Sequence, residues 1–227
     1  MDTKTILLTL TYLVGAGELI LAIYFWATHS KSEIRKVIAL LAFSTGIWVV
    51  LSAATSYISY SSFGYLLMAL VYIFGLILIT TLLYLILIMP FPLLKFDKIH
   101  KLLMYFPVLI FGFMLIYSKT IIESFTGSAT LVGKIIGGPL YGLYNFYLVL
   151  IFLTSVVLAF ARIKKLDGIH KRNMVILIWS VILGGTPAII LYLIFPIVAP
   201  SININDLIGV IPSFIWVGGV TYIALKK

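Results

Sequence analysis

The stretch VGAGELILAIYF, residues 14–25, sets a single glutamate, Glu18, in an apolar run that extends from Thr5 to Ala27. Such a run matches the ~20 apolar residues that cross the hydrocarbon core of a bilayer. It is too long for the apolar core of a cleavable signal, and no A-x-A site follows it. It is therefore expected to stay as a first membrane span.

The rest of the chain repeats the pattern. Of 227 residues, 63% are hydrophobic and 10% charged, against ~45–50% and ~25% in soluble domains. Seven apolar runs are separated by charged or polar stretches: 5–28, 37–58, 64–89, 102–118, 139–161, 174–198 and 207–225. The third is long enough to tilt or protrude. The fourth is short unless it continues through Ile121 and Ile122. The expected fold is all-α: a polytopic seven-transmembrane-helix bundle forming one domain over residues 1–227.

Charge sets the orientation. The stretches HSKSEIRK (29–36), PFPLLKFDKIHK (90–101) and RIKKLDGIHKR (162–172), with Lys226 and Lys227, hold 13 of the 16 Lys and Arg residues. The other side has Lys4, Lys119 and Lys134, balanced by Asp2, Glu123 and Asp206. Positive loops stay cytoplasmic, so the N-terminus is expected outside and the C-terminus inside the cell membrane. The net charge of +9 then points to anionic lipid headgroups as partners, at about 1 kcal/mol per Lys or Arg, and away from nucleic acid. Tyr57, Tyr60, Tyr141, Tyr144 and Tyr222 fall near expected interfaces and read as an aromatic belt.

KFDKIHK (95–101) and KLDGIHK (165–171) share the pattern K-x-D-x-I-H-K, and KSEIRK (31–36) is a shorter relative. The plain reading is a helix start, with an acid capping free N–H groups and complementing the dipole. The functional reading is a pH-sensitive contact in the pairs Asp97–His100 and Asp167–His170. A metal site is disfavoured, since nothing brings the two histidines together.

Glu18 lies about 20 Å along the first span, counted from Thr5 at 1.5 Å per residue. An ionised carboxylate at that depth is costly, and intramembrane acids face the bundle interior or a wet cavity. No Lys or Arg lies at a comparable depth, so the expected partners are neutral: Asn145, Tyr72, Tyr144 or Tyr147. Gly15 and Gly17 permit close helix approach beside it. Packing between helices, a polar contact in a ligand pocket and a proton or ion step all compete for this residue.

Gly137, Gly138 and Pro139 are expected to open the fifth span. Gly184, Gly185 and Pro187 are expected to interrupt the sixth, and Pro212 the seventh. Trp48, Trp179 and Trp216 lie inside their runs, where they either fill helix contacts or line a cavity. A pocket would be built from Glu18, Asn145, Trp48, Trp179, Trp216, Tyr72 and Tyr144. The outer segment 118–138 would lie on the membrane surface or cap the bundle.

Several chemistries have no residues to carry them. The chain has no cysteine, which removes disulfides and thiolate sites. The seventh run has no lysine for a retinal Schiff base. No G-x-S-x-G, H-E-x-x-H or phosphate-cradling loop occurs, so neither catalysis nor a cofactor or metal is expected. A repeat-built transporter is disfavoured, because internal prolines gather in spans five to seven and are absent from one to three.

Three stretches carry a resemblance: RKVIALLAFSTGIWVVLSAATSYI (35–58), LIMPFPLLKFDK (87–98) and YGLYNFYLVLIFLTSVVLAFARIKK (141–165). With them the chain resembles, over nearly its whole length, the N-terminal seven-helix membrane region found ahead of many prokaryotic sensor histidine kinases. The resemblance implies a sensor that passes a signal to the cytoplasm. No phosphoacceptor region or ATP-binding domain occurs in these 227 residues, so the expectation is either a sensory region alone or one that acts on a separate cytoplasmic signalling partner. A homo-oligomer, a small-solute or proton-coupled transporter, and a subunit of a larger membrane complex remain open alternatives.

Overall fold

The computed structural model describes residues 3–28, 32–55, 62–92, 97–126, 134–190 and parts of 215–223. Helices α1 (Thr3–Thr28), α2 (Glu33–Thr55), α3 (Ser62–Ile88), α4 (Lys98–Phe113), α5 (Tyr141–Ile163) and α6 (Gly168–Ile189) follow one another along the chain. A π-helical turn, Met114–Ser118, extends α4. Among the described residues, α1, α2, α3, α4 with its extension, and α5 are long and apolar enough to cross a membrane. The sixth expected span begins in α6. Its end, and Pro212 with most of the seventh, lie outside the described residues.

The buried face of α1 carries Leu8, Thr11, Val14, Gly15, Glu18, Ala22 and Phe25. This three-and-four spacing is that of a helix seam. Ile20, Ile23 and Trp26 point outward, as suits a lipid-facing side. α1 packs on α2, and the closest approach is at two glycines. A Cβ added to Gly15 would lie 2.6 Å from Val50 Cγ2 and 3.1 Å from the Gly46 carbonyl. One added to Gly46 would lie 2.9 Å from the Gly15 carbonyl. Small residues let backbones meet where lipid removes the hydrophobic drive for association. Gly17 has nothing within 4 Å of its Cβ position, so the expected role of glycine beside Glu18 belongs to Gly15 alone.

α3 is the central helix, in contact with α2, α4, α5 and β1. Its partnership with α5 is fixed at two levels. From the first turn of α5, the Tyr144 hydroxyl donates to the carbonyl of Tyr72, near the middle of α3, at 2.6 Å. Near their ends, Arg162 donates to the carbonyls of Ile86 at 2.6 Å, Leu87 at 2.8 Å and Phe91. The last carbonyls of a helix lack intrahelical donors, and the guanidinium supplies them.

The bundle has two distinct ends. At one, the Tyr84 hydroxyl donates to Glu33 Oε1 at 2.5 Å and Lys101 pairs with the same oxygen. His170 packs on Phe91 there, with ring centroids 5.0 Å apart. The three basic loops thus gather at a single end. At the other end, β1 (Ile122–Thr126) and β2 (Lys134–Gly137) form an antiparallel hairpin. The Tyr65 hydroxyl donates to the Leu115 carbonyl at 2.7 Å, and Lys119 lies over the Tyr65 ring.

Several expectations need correction. The all-α reading omits this hairpin. Ile121 and Ile122 are fully buried at its base rather than lengthening α4, which instead begins earlier, at Lys98. Pro139 lies in a turn ahead of α5, which starts at Tyr141. α6 runs through Gly184, Gly185 and Pro187 without interruption. There Gly185 makes room for Phe152 of α5, whose Cε2 would be 2.5 Å from an added Cβ. Tyr144 is core rather than interfacial belt, being fully buried. Tyr57 and Tyr60 lie outside the described residues.

Candidate functional site

The seam position of Glu18 follows from its spacing. It lies one turn from Gly15 toward the basic end and faces inward, 3% exposed. Neither carboxylate oxygen has a hydrogen-bond partner among the described residues. None of the neutral partners expected from the sequence bonds to it. The Tyr144 hydroxyl serves the Tyr72 carbonyl, and the Tyr72 hydroxyl faces that of Tyr141 at 3.2 Å.

Asn145, on the first turn of α5, is also 3% exposed. Its amide nitrogen and oxygen are buried and likewise unpaired among the described residues. The main helix contacts run from α1 to α2, α2 to α3 and α3 to α5. Glu18 and Asn145 therefore face the interior from helices at opposite ends of that series.

Contacts between neighbours relate their depths. Gly15 and Gly46 meet at one level. Glu18 is three residues below it and Trp48 two above, a difference of about 8 Å at 1.5 Å per residue. The Trp48 indole lies against Gly75, with Nε1 3.6 Å from an added Cβ. Gly75 is one turn from Tyr72, whose ring is 5.4 Å from that of Tyr144. Asn145 follows Tyr144. Tyr72 lies three residues beyond Gly75 toward the hairpin end, so it is about 12 Å from the Glu18 level at 1.5 Å per residue, and Trp48, Tyr72 and Tyr144 lie on the hairpin side of Glu18.

The remaining expected site residues fall elsewhere. Trp179 is 54% exposed on α6 and does not line the interior formed by the described residues. Trp216 is buried, and its indole N–H has no partner among the described residues. Tyr147 packs on Phe111 with centroids 5.2 Å apart.

The Asp97–His100 pair forms as a cap. Asp97 Oδ1 accepts from the His100 backbone N–H at 2.9 Å and contacts His100 Nδ1 at 2.7 Å. These contacts hold the Asp97 carboxyl below its ordinary value. Asp167 takes the same N-cap position without a side-chain hydrogen bond. The two related motifs are therefore not equivalent. Among the described residues, no group of three or more His, Cys, Asp or Glu is placed to hold a metal.

Two features escaped the sequence reading. The sequence places Arg162 among the loop charges, yet it is buried. Pro90 and Pro92, which end α3 and leave carbonyls in need of donors, were the available signal. The Glu33–Lys101–Tyr84 cluster joins three helices through residues too far apart in sequence for any spacing to reveal. No protein-family model matches the chain, and no curated protein matches it.

Proposed function

We propose that this is a seven-span protein of the cell membrane, N-terminus outside and C-terminus cytoplasmic. It binds a small or lipophilic ligand within the helix bundle and passes a helix rearrangement to a cytoplasmic partner. One observation carries the reading: Glu18 and Asn145 are each buried in the helix bundle with their polar atoms unpaired among the described residues. Burying such groups without partners costs several kcal/mol, roughly 2–7 for an amide. A ligand that supplied the missing hydrogen bonds would offset that cost. Toward the hairpin end from Glu18, Trp48, Tyr72 and Tyr144 present apolar and aromatic surface, the usual lining of a ligand site. The gathering of basic loops at one end supports the orientation. The resemblance to sensor regions of histidine kinases agrees with a signalling role.

Binding shifts the helices only through differential affinity for two arrangements. The test is ligand-induced thermal stabilisation of the purified chain, screened over small solutes and compared with Glu18→Gln and Asn145→Ala. Loss of a wild-type response in both variants is expected. Unchanged stability and unchanged responses in both remove the pocket.

A proton-coupled transporter is the second reading. It is favoured by the lack of a cationic partner for Glu18 among the described residues. Solute flux in proteoliposomes that follows a pH gradient and is lost in Glu18→Gln selects it.

A further inference from the structure

We infer that the part of α4 before Pro107, residues 98–106, is a hinged arm, latched to the bundle by polar contacts and able to swing out among the lipids when they open. The arm requires no ligand and so stands apart from the pocket reading. α4 divides at Pro107. Residues 98–106 include no buried residue, and Met104 and Tyr105 rest on the core only in part. Beyond the proline, Val108, Gly112 and Leu115 are buried, and Phe111 meets the Tyr144 ring edge-on at 5.4 Å. Of the whole span Lys98–Ser118, 11% is buried, against 33–56% in the four other spans.

The proline falls where the packing changes. Pro107 lacks the N–H that would bond the Leu103 carbonyl, so the helix ladder is interrupted there. Prolines inside helices are sites of bending. Asp97 caps the arm at its start, accepting from the His100 N–H at 2.9 Å, so the arm moves as a helix rather than unravelling.

What holds the arm is polar. Lys101 pairs with Glu33 of α2, which also accepts from Tyr84 of α3. One turn on, the hydroxyls of Tyr105 and Thr81 share a hydrogen bond at 2.9 Å. The Lys101 and Glu33 side chains are 39% and 51% exposed, and an ion pair so open to water contributes little. A latch of this kind opens at small cost, where buried apolar packing would not. The outer face of the arm, with Ile99, Leu102, Leu103 and Phe106, is apolar and exposed, so an outward swing drives no polar group into lipid on that side. Lys101 lies near the helix start, where its long stem lets the ammonium stay with the headgroups.

The chain has no cysteine, so paired spin labels can report the motion in the full chain in lipid nanodiscs. One pair, Ile99→Cys with Lys164→Cys, spans from the arm to the end of α5, which Arg162 ties to α3. Ile99 is about 12 Å from Pro107 at 1.5 Å per residue. The second pair, Leu109→Cys with Leu143→Cys, reports the other half of α4. The double variant Lys101→Met, Tyr105→Phe is expected to enlarge a longer-distance population of the first pair about fivefold and to leave the second pair unchanged. Adding Pro107→Ala should shrink that population several-fold. Lys101→Glu alone should lengthen the first distance, and combining it with Glu33→Lys should restore the parent distribution. An unchanged first distance in the double variant overturns the arm. An equal shift in both pairs, as in a general loosening of the bundle, overturns it too. A longer population that Pro107→Ala leaves intact overturns the hinge, and failure of the exchanged charges to restore the parent distribution overturns the latch.

Discussion

Arg162 reaches from the last turn of α5 to the Ile86 carbonyl of α3, donating from Nη1 at 2.6 Å. Leu87 and Phe91 receive the rest of the guanidinium. Hydrogen bonds to a charged group contribute about 1.5–3 kcal/mol. Arg162→Ala is therefore expected to destabilise the chain by about 2–3 kcal/mol, read as a fall in melting temperature in detergent. Arg162→Lys should recover only part, because one ammonium cannot reproduce the planar fork. Wild-type stability in Arg162→Ala would refute the clamp.

The glycine crossing gives a contrast within one helix. Gly15→Ala and Gly46→Ala each place a methyl within 3.0 Å of a neighbour, and such overpacking costs about 1–3 kcal/mol. Gly17→Ala meets open space and should be neutral or stabilising by up to about 1 kcal/mol through helix propensity. Thermal unfolding of the three variants decides the matter. Equal effects at Gly15 and Gly17 would move the crossing elsewhere.

A site kept for binding carries a stability cost when empty. Asn145→Leu removes a buried amide that is unpaired among the described residues and is expected to raise the stability of the ligand-free chain by about 1–3 kcal/mol. The same variant should lose ligand-induced stabilisation. A less stable Asn145→Leu would mean that the amide already has a partner in the bundle.

The absence of cysteine makes topology directly measurable. Lys119, at the hairpin end, and Lys171, at the basic end, are both exposed. In intact cells, a membrane-impermeant thiol reagent should label Lys119→Cys and spare Lys171→Cys until the membrane is opened. The reverse pattern would invert the proposed orientation.

The Asp97 cap predicts a pH dependence. Its carboxyl is held below the ordinary value by the His100 N–H and ring. The contribution is therefore complete above the unfolded carboxylate range and is lost as pH falls through the lower folded value. The difference in melting temperature between wild type and Asp97→Ala should be present at neutral pH and shrink in acid. A difference that grew in acid would contradict the cap.

How much could be read beforehand depended on the kind of signal. Five spans were legible because length and apolarity are local properties, and the common end of the basic loops followed from charge alone. Glu18 and Asn145 stood out because a polar group in an apolar run is conspicuous. Their failure to pair was not legible, since it depends on which helices touch. Trp179 shows the same limit: a tryptophan inside a run faces in or out according to a packing partner that no period discloses. The hairpin was missed because Ile121 and Ile122 suit a buried strand base as well as a helix end. Arg162 was missed because a basic residue at a span boundary ordinarily belongs to the headgroups.

The double attachment of α3 to α5 has a mechanical consequence. Two parallel helices joined by Tyr144 to Tyr72 near the middle of α3, and by Arg162 to its last turn, resist sliding and rotation relative to each other. Between those levels, about 21 Å apart along α3 at 1.5 Å per residue, they form one unit. A rearrangement of the bundle is therefore expected to carry the two together, leaving the adjustment to neighbours such as α4, whose apolar surface is largely uncovered.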